Sequence, residues 1–190
     1  MCEWMMIELS VIRDLVAILG VVVGFSYYVL TVRNQNKARQ TATVIQLHQH
    51  KTSPEENTRF WKLIALQWKD HEDYQRNYGP RGNPEEEMVR AMFSAEFGFY
   101  DGLGLMLKKG LVDLDTVYSL FGLRCTMIWY KYETLLDGIR SMTTFGGGPR
   151  IYENLEYLAN EILKLNEKYD QPIPIELIHP TTTRYLHLIQ

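Results

Sequence analysis

The feature that most constrains this chain is a run of uncharged residues near its start. From Leu15 to Val32 no Asp, Glu, Lys or Arg appears, and Val, Leu, Ile, Gly, Phe and Tyr dominate. As a helix rising 1.5 Å per residue, the run covers about 27 Å, close to the thickness of a bilayer's hydrocarbon core. Met5 to Ile12 extends the apolar span if Arg13 and Asp14 pair or reach for the interface. Trp4 and the Tyr27–Tyr28 pair would sit about 35 Å apart on such a helix, which suits two interfacial aromatic belts. A lone helix satisfies its own backbone hydrogen bonds, so it can cross lipid unaided. The run therefore predicts a single transmembrane helix over 15–32, after a short extracytoplasmic segment, 1–14. A cleaved signal peptide fits poorly, because the start carries Glu3 and Glu8 and no A-x-A pattern follows. A lipoprotein reading of Cys2 fails because Cys2 precedes the run. The remaining rival is a helix buried inside a water-soluble core.

Charge asymmetry predicts the orientation. Glu3, Glu8, Arg13 and Asp14 precede the run, whereas Arg33, Lys37, Arg39 and Lys51 follow it with no acid before Glu55. The positive side faces the cytoplasm, so the expectation is a cell-membrane protein with its N-terminus outside and its C-terminal domain inside. Arg33, Lys37 and Arg39 would also attract anionic headgroups, which makes membrane lipid an expected partner. Gly20 and Gly24, with Ala17 nearly on the same stripe, let a second helix approach closely. That stripe is a candidate contact with another copy or with a partner's helix. A net charge of -3 argues against nucleic acid. The two cysteines, Cys2 and Cys125, are expected on opposite sides of the membrane, which excludes a disulfide framework.

The remainder reads as helices. No Gly or Pro falls between Phe25 and Ser53, so the first helix should continue as a stalk over 33–52, with Val44, Ile45, Leu47 and His48 meeting the domain core. Ser53-Pro54-Glu55-Glu56 writes a helix start: a capping serine, a proline at the first helical position and a glutamate closing a capping box. The helix it opens carries Phe60, Trp61, Leu63, Ile64 and Trp68. Asn83-Pro84-Glu85-Glu86 repeats that grammar, and its helix ends at Lys108-Lys109-Gly110, cations followed by a glycine cap. This helix is apolar nearly all round and so should be central and buried. Its Ser94, Gly98 and Gly102 form a thin stripe where another helix could pack. Asp113 should cap a helix through about Ser141, and a last helix should run from Pro149 to about Tyr169. The expectation is an all-α protein, its membrane helix continuing into a cytoplasmic antiparallel bundle over 53–170. An extended apolar tail, 171–190, follows. Ile173, Ile175, Leu177, Ile178, Tyr185, Leu186 and Leu188 make that tail too greasy for disorder. It should strap across its own bundle or dock on a partner.

The stretch Phe97-Gly98-Phe99-Tyr100-Asp101-Gly102-Leu103-Gly104-Leu105-Met106-Leu107-Lys108-Lys109-Gly110-Leu111-Val112-Asp113, with Leu120-Phe121-Gly122 and Trp129 after it, resembles a family of small prokaryotic proteins defined only as a domain of unknown function. The resemblance spans about Leu15 to Tyr169. It implies one N-terminal membrane helix and a helical cytoplasmic domain, and it carries no catalytic residues across.

No motif supplies chemistry. His48 and His50 are two apart and cannot share a metal from one helix face. Asp70-His71-Glu72-Asp73 is a polar cluster expected at a helix end. Gly146-Gly147-Gly148 lacks the preceding strand and following Gly-Lys of a phosphate loop. No metal, cofactor or catalytic residue is expected. Glu96 and Asp101 lie within the central helix, and Arg124 on the next helix is the expected counter-charge of a buried ion pair. The leading functional expectation is a non-enzymatic, membrane-anchored interaction or accessory subunit of a membrane assembly. The second is a membrane-tethered sensor or ligand binder, its pocket lined by Trp61, Trp68, Phe93 and Trp129, which requires a cavity above about 300 Å³. The third is a hydrolase or metal enzyme using Glu96, Asp101 or the His71 cluster.

Overall fold

A computed structural model describes residues 2–79, 84–141 and 150–171, and within 2–10 it describes the backbone only. The described residues form six helices and no strand. These are α1 (Cys2–Lys51), α2 (Pro54–Ala65), α3 (His71–Tyr78), α4 (Pro84–Lys108), α5 (Leu114–Ser141) and α6 (Glu153–Lys168). The chain divides into two compact units, Met1–Ala42 and Thr43–Gln190.

The first unit is helix throughout its described length. Every side chain from Val11 to Leu30 is exposed, including Val21, Phe25 and Tyr27 at about 70%. Its polar groups are answered locally. Arg13 donates to Asp14 at 3.1 Å. Ser26 and Thr31 donate to the carbonyls of Val22 and Tyr27, four residues back, at 2.8 Å. One helix is thus long and apolar enough to span a membrane. No atom lies within 4 Å of where a Cβ would stand on Gly20 or Gly24.

In the second unit the core begins inside α1, where Val44 is fully buried and Leu47 packs against the cluster. α2 starts as its sequence predicts. Ser53 accepts the Glu56 N–H and Pro54 takes the first position. The box is only half closed, because the Glu56 carboxylate turns to Lys51 and Arg59 instead. α2 also ends earlier than its apolar pattern implies. The backbone breaks at Leu66, and Trp68, outside any helix, drops into the core 4.9 Å from the Tyr132 ring and 5.2 Å from Tyr74. Asp70 then accepts the Asp73 N–H and opens α3, so the acidic cluster starts a helix rather than ending one. Burying the Trp68 indole removes a large apolar surface from water.

α4 packs against α2, α3 and α6, but it is not buried all round as its apolarity predicts: Met88, Ser94, Gly98, Gly102 and Leu105 are exposed. Met92, Phe93, Glu96, Phe97, Tyr100, Leu103 and Gly104 form its buried face. Phe93 stacks on Phe97 at 3.9 Å, and both rings meet Tyr132 edge-on. A Schellman motif closes the helix: Gly110 sits at φ 67°, its N–H reaches the Leu107 carbonyl, and the Leu111 N–H reaches that of Met106. The expected packing stripe is misplaced. Gly98 and Gly102 face outward with nothing within 4 Å of an added Cβ, and Ser94 is exposed beside them. The close approach is at Gly104, where a Cβ would collide with the Asn154 carbonyl of the α6 first turn. Large rings win the inward face because they bury the most area, and the small-residue stripe is left outside. α5 opens on Asp113, whose carboxylate accepts the Thr116 N–H at 2.9 Å. The expected first turn of α6 at Pro149 lies outside the described residues; its helix starts at Glu153.

Candidate functional site

Two places in the second unit gather polar groups in a way packing alone does not require. The first is a buried charge cluster at the last residue of α1. Lys51 is 3% exposed, although its sequence context reads as a basic flank facing headgroups. Its ammonium lies 2.6 Å from Glu96 Oε2 on α4 and 3.0 Å from Glu56 Oε2 on α2. It also stands 4.7 Å over the Phe99 ring. Arg59 holds the other Glu56 oxygen at 2.6 Å. Burial pushes the Glu56 carboxyl up, but the Lys51 hydrogen bond and the Lys51 and Arg59 charges outweigh it and hold the group below its ordinary value.

The expected counter-charge for Glu96 and Asp101 is therefore wrong in its partner. Arg124 donates through Nη1 to the Lys51 carbonyl at 2.7 Å and lies 4.1 Å over the Phe60 ring. Lys51 ends α1 and Glu56 lies in the first turn of α2, so the short turn between them sets both beside each other, and the Lys51 ammonium also meets Glu96 on α4. Asp101 forms no ion pair among the described residues. Its carboxylate accepts the N–H groups of Asn154 (2.9 Å) and Leu155 (3.1 Å), capping α6 from another helix. α6 has no side-chain cap of its own, because Tyr152 occupies that position.

The cluster is not fully satisfied. Glu96 Oε1, Tyr100 Oη and Arg124 Nε and Nη2 are buried without a hydrogen-bond partner among the described residues. Burial, with the Glu96 charge added, raises the Tyr100 hydroxyl well above its ordinary value. A second buried cation, Lys131 on α5, has an aromatic face instead of a carboxylate. Its ammonium stands 4.7 Å over Trp68, and burial lowers it to about 8.

The second place is a cavity of about 460 Å³ between α3, α4, the end of α5 and the turn into α6. Tyr74, Tyr78, Phe93 and Tyr152 supply aromatic walls, and Ala91, Ile139 and Ile151 add aliphatic surface. Gln75, Glu87, Arg90 and Ser94 supply the polar lining. Of the four aromatics expected to line a pocket, only Phe93 does so. Trp68 and Trp129 are buried in the core, and Trp61 is exposed on α2. Local spacing does not reveal this wall, because Tyr74 and Tyr78 share α3 while Tyr152 comes from the turn before α6; the Arg90–Glu87 spacing on one helix face was the available signal.

Tyr152 is the unusual residue of this wall. It holds φ 56° and ψ 33°, a left-handed conformation that bulky residues rarely adopt. Arg140 donates to the carbonyls of Ile151 (3.0 Å) and Tyr152 (3.3 Å) and is itself paired with Glu156 at 2.8 Å. With Asp101 on the far side, the turn is held from both flanks, and the ring meets Phe97 at 5.4 Å and Phe93 at 6.2 Å.

Arg33, Lys37 and Arg39 are exposed. Among the described residues no group of three or more His, Cys, Asp or Glu is placed to hold a metal ion. His71 packs against Gly138, where an added Cβ would lie 2.6 Å from Nδ1, and neither ring nitrogen has a hydrogen-bond partner among the described residues. Cys125 is a fully buried free thiol, raised by that burial. Gly146-Gly147-Gly148 and the tail residues Ile173, Ile175, Leu177, Ile178, Tyr185, Leu186 and Leu188 lie outside the described residues. No curated protein and no solved structure matches the chain. The sequence pattern of a domain of unknown function, DUF4760, matches residues 14–162, from the edge of the apolar run into α6.

Proposed function

Because the chain belongs to the DUF4760 family, whose definition carries no activity, we propose a function from its own geometry: a membrane-anchored, non-enzymatic interaction or accessory subunit of a membrane assembly. The observation that carries this reading is the exposed apolar length of α1, in whose most apolar stretch no residue is buried. Such a surface is unfavourable in water by about 25 cal/mol per Å² and is at home in lipid. Gly20 and Gly24 leave room on that helix for a second helix. The exposed Arg33, Lys37 and Arg39 favour a cytoplasmic domain with the N-terminus outside. The apolar tail after Gln171 offers a further docking element. Extraction of the full chain in mild detergent, followed by native mass measurement, tests the proposal. Recovery from the membrane fraction as an oligomer or with a stoichiometric partner is expected. A protein that stays in the soluble fraction after salt washing, or a strict monomer without partners, overturns it.

A second reading, a membrane-tethered ligand-binding domain, is favoured by the cavity of about 460 Å³ between α3 and α4. Its volume lies within the roughly 300–1,000 Å³ range of small-molecule sites.

A further inference from the structure

The cavity joins two kinds of lining. One is aromatic: Tyr74 faces it from α3, Phe93 from α4 and Tyr152 from the turn before α6. The other is charged. Glu87 and Arg90 stand three residues apart on α4, so both emerge on one side of that helix at the same wall. Both are exposed, and no hydrogen bond or ion pair joins them to each other or to another described residue. A guanidinium offers a planar fork that matches a carboxylate, and a carboxylate beside aromatic faces suits an ammonium.

The strain at Tyr152 points to the same place. A left-handed tyrosine costs the fold on the order of 1–3 kcal/mol, and glycine or asparagine at that position would avoid most of it. Arg140 and Asp101 are spent on holding the turn in that shape, with hydrogen bonds of 3.0 Å and 2.9 Å to Ile151 and Asn154. What the strained backbone achieves is the placement of one ring against Phe93 at the cavity wall. Strain of this kind, over-determined by its surroundings, clusters at active sites and ligand clamps.

We propose that this cavity binds an aromatic zwitterion, a free aromatic amino acid or a short peptide carrying one, with the ring among Tyr74, Phe93 and Tyr152, the carboxylate on Arg90 and the ammonium on Glu87. The volume of about 460 Å³ holds one such unit with room to spare and is small for a larger cofactor. A neutral apolar ligand would leave both charges unread, and a simple anion would meet Glu87. The inference rests on the ligand-binding reading given above and adds to it the class of ligand.

The test uses the full chain in detergent micelles or nanodiscs, titrated calorimetrically with L-tryptophan and L-phenylalanine. Phenylpropionate lacks the ammonium, phenethylamine lacks the carboxylate, and indole lacks both. Saturable binding of the amino acids is expected, weakened about tenfold or more by deleting either charge from the ligand. Arg90→Gln should weaken the amino acids by a similar factor and leave phenethylamine unchanged; Glu87→Gln should do the converse and leave phenylpropionate unchanged. Both side chains are exposed, so neither change threatens the fold. Ala91→Trp, which fills the cavity from its α4 wall, should abolish binding. Indole binding as tightly as tryptophan, or binding indifferent to both glutamine variants, overturns the zwitterion and leaves a ligand-binding cavity standing. No saturable binding of any of the five compounds overturns both.

Discussion

α1 between Val11 and Leu30 and α4 between Met88 and Leu107 are drawn from overlapping apolar alphabets, yet their surroundings are opposite. No described side chain in the first stretch is buried, whereas the second buries Phe93, Phe97, Tyr100 and Leu103 almost completely. Two differences separate them. α1 is mostly aliphatic and uncharged across its middle, and the Ser26 and Thr31 hydroxyls fold back onto its own carbonyls. α4 is aromatic on one face, and two of its carboxylates are answered by other elements: Lys51 for Glu96, and the α6 first turn for Asp101. A helix that asks nothing of its neighbours can live in lipid. A helix whose buried carboxylates need partners specifies a protein interior around itself.

The comparison breaks most visibly under paired substitutions. Phe97→Ala empties a fully buried site and should cost the second unit about 3–5 kcal/mol in denaturant unfolding, with membrane recovery unchanged. Val22→Arg should do the reverse: an arginine at the centre of a span costs insertion about 2.5–3.5 kcal/mol, so the membrane-bound fraction falls while the unfolding midpoint holds. If Val22→Arg destabilised the bundle and left membrane recovery intact, α1 would be a core helix.

Next in size is the cluster that ties α1 to α4. Lys51→Met leaves Glu96 buried without its cation and should cost about 3–5 kcal/mol. Adding Glu96→Gln should recover part of that loss, which a double-mutant cycle would measure. Purely additive effects would show that the 2.6 Å pair contributes nothing specific.

Within α4 itself, two glycines should respond with opposite signs. Gly104→Ala drives a methyl into the Asn154 carbonyl and should cost about 1–3 kcal/mol. Gly98→Ala meets open space and should gain about 0.5–1 kcal/mol from helix propensity alone. Thermal melts of the two variants side by side decide whether the outward stripe is unoccupied in the isolated protein.

The smallest expected effect sharpens the contrast between the two buried lysines. No carboxylate pairs with Lys131 among the described residues, and burial lowers it from 10.5 to about 8. The folded state therefore holds its proton less tightly than the unfolded chain does. That costs stability at neutral pH, and the cost is relieved as pH rises from about 8 toward 10.5. Lys131→Met should raise stability at pH 7 by about 1–2 kcal/mol, the relieved burial penalty less the lost cation–π contact with Trp68. It should also remove that alkaline rise. A destabilised variant would mean that the ammonium over the indole outweighs its desolvation.

Much of the fold was legible in order of residues. The uncharged run fixed one spanning-length helix, because eighteen-odd apolar residues have few other stable fates. Ser53-Pro54, Asp113 and Lys108-Lys109-Gly110 placed helix ends through bonds that reach only three to five residues along the chain. What only the tertiary structure decided was partnership. Glu96 chose Lys51 over Arg124, Asp101 became the cap of a helix some fifty residues away, Trp68 broke α2 to enter the core, and tyrosines from α3 and from the turn before α6 converged on one cavity. The physical reason is range. Caps, periodicity and hydrophobic length are written within one or two turns of helix, whereas a buried charge or ring finds its partner by which elements meet in space, and no local spacing encodes that.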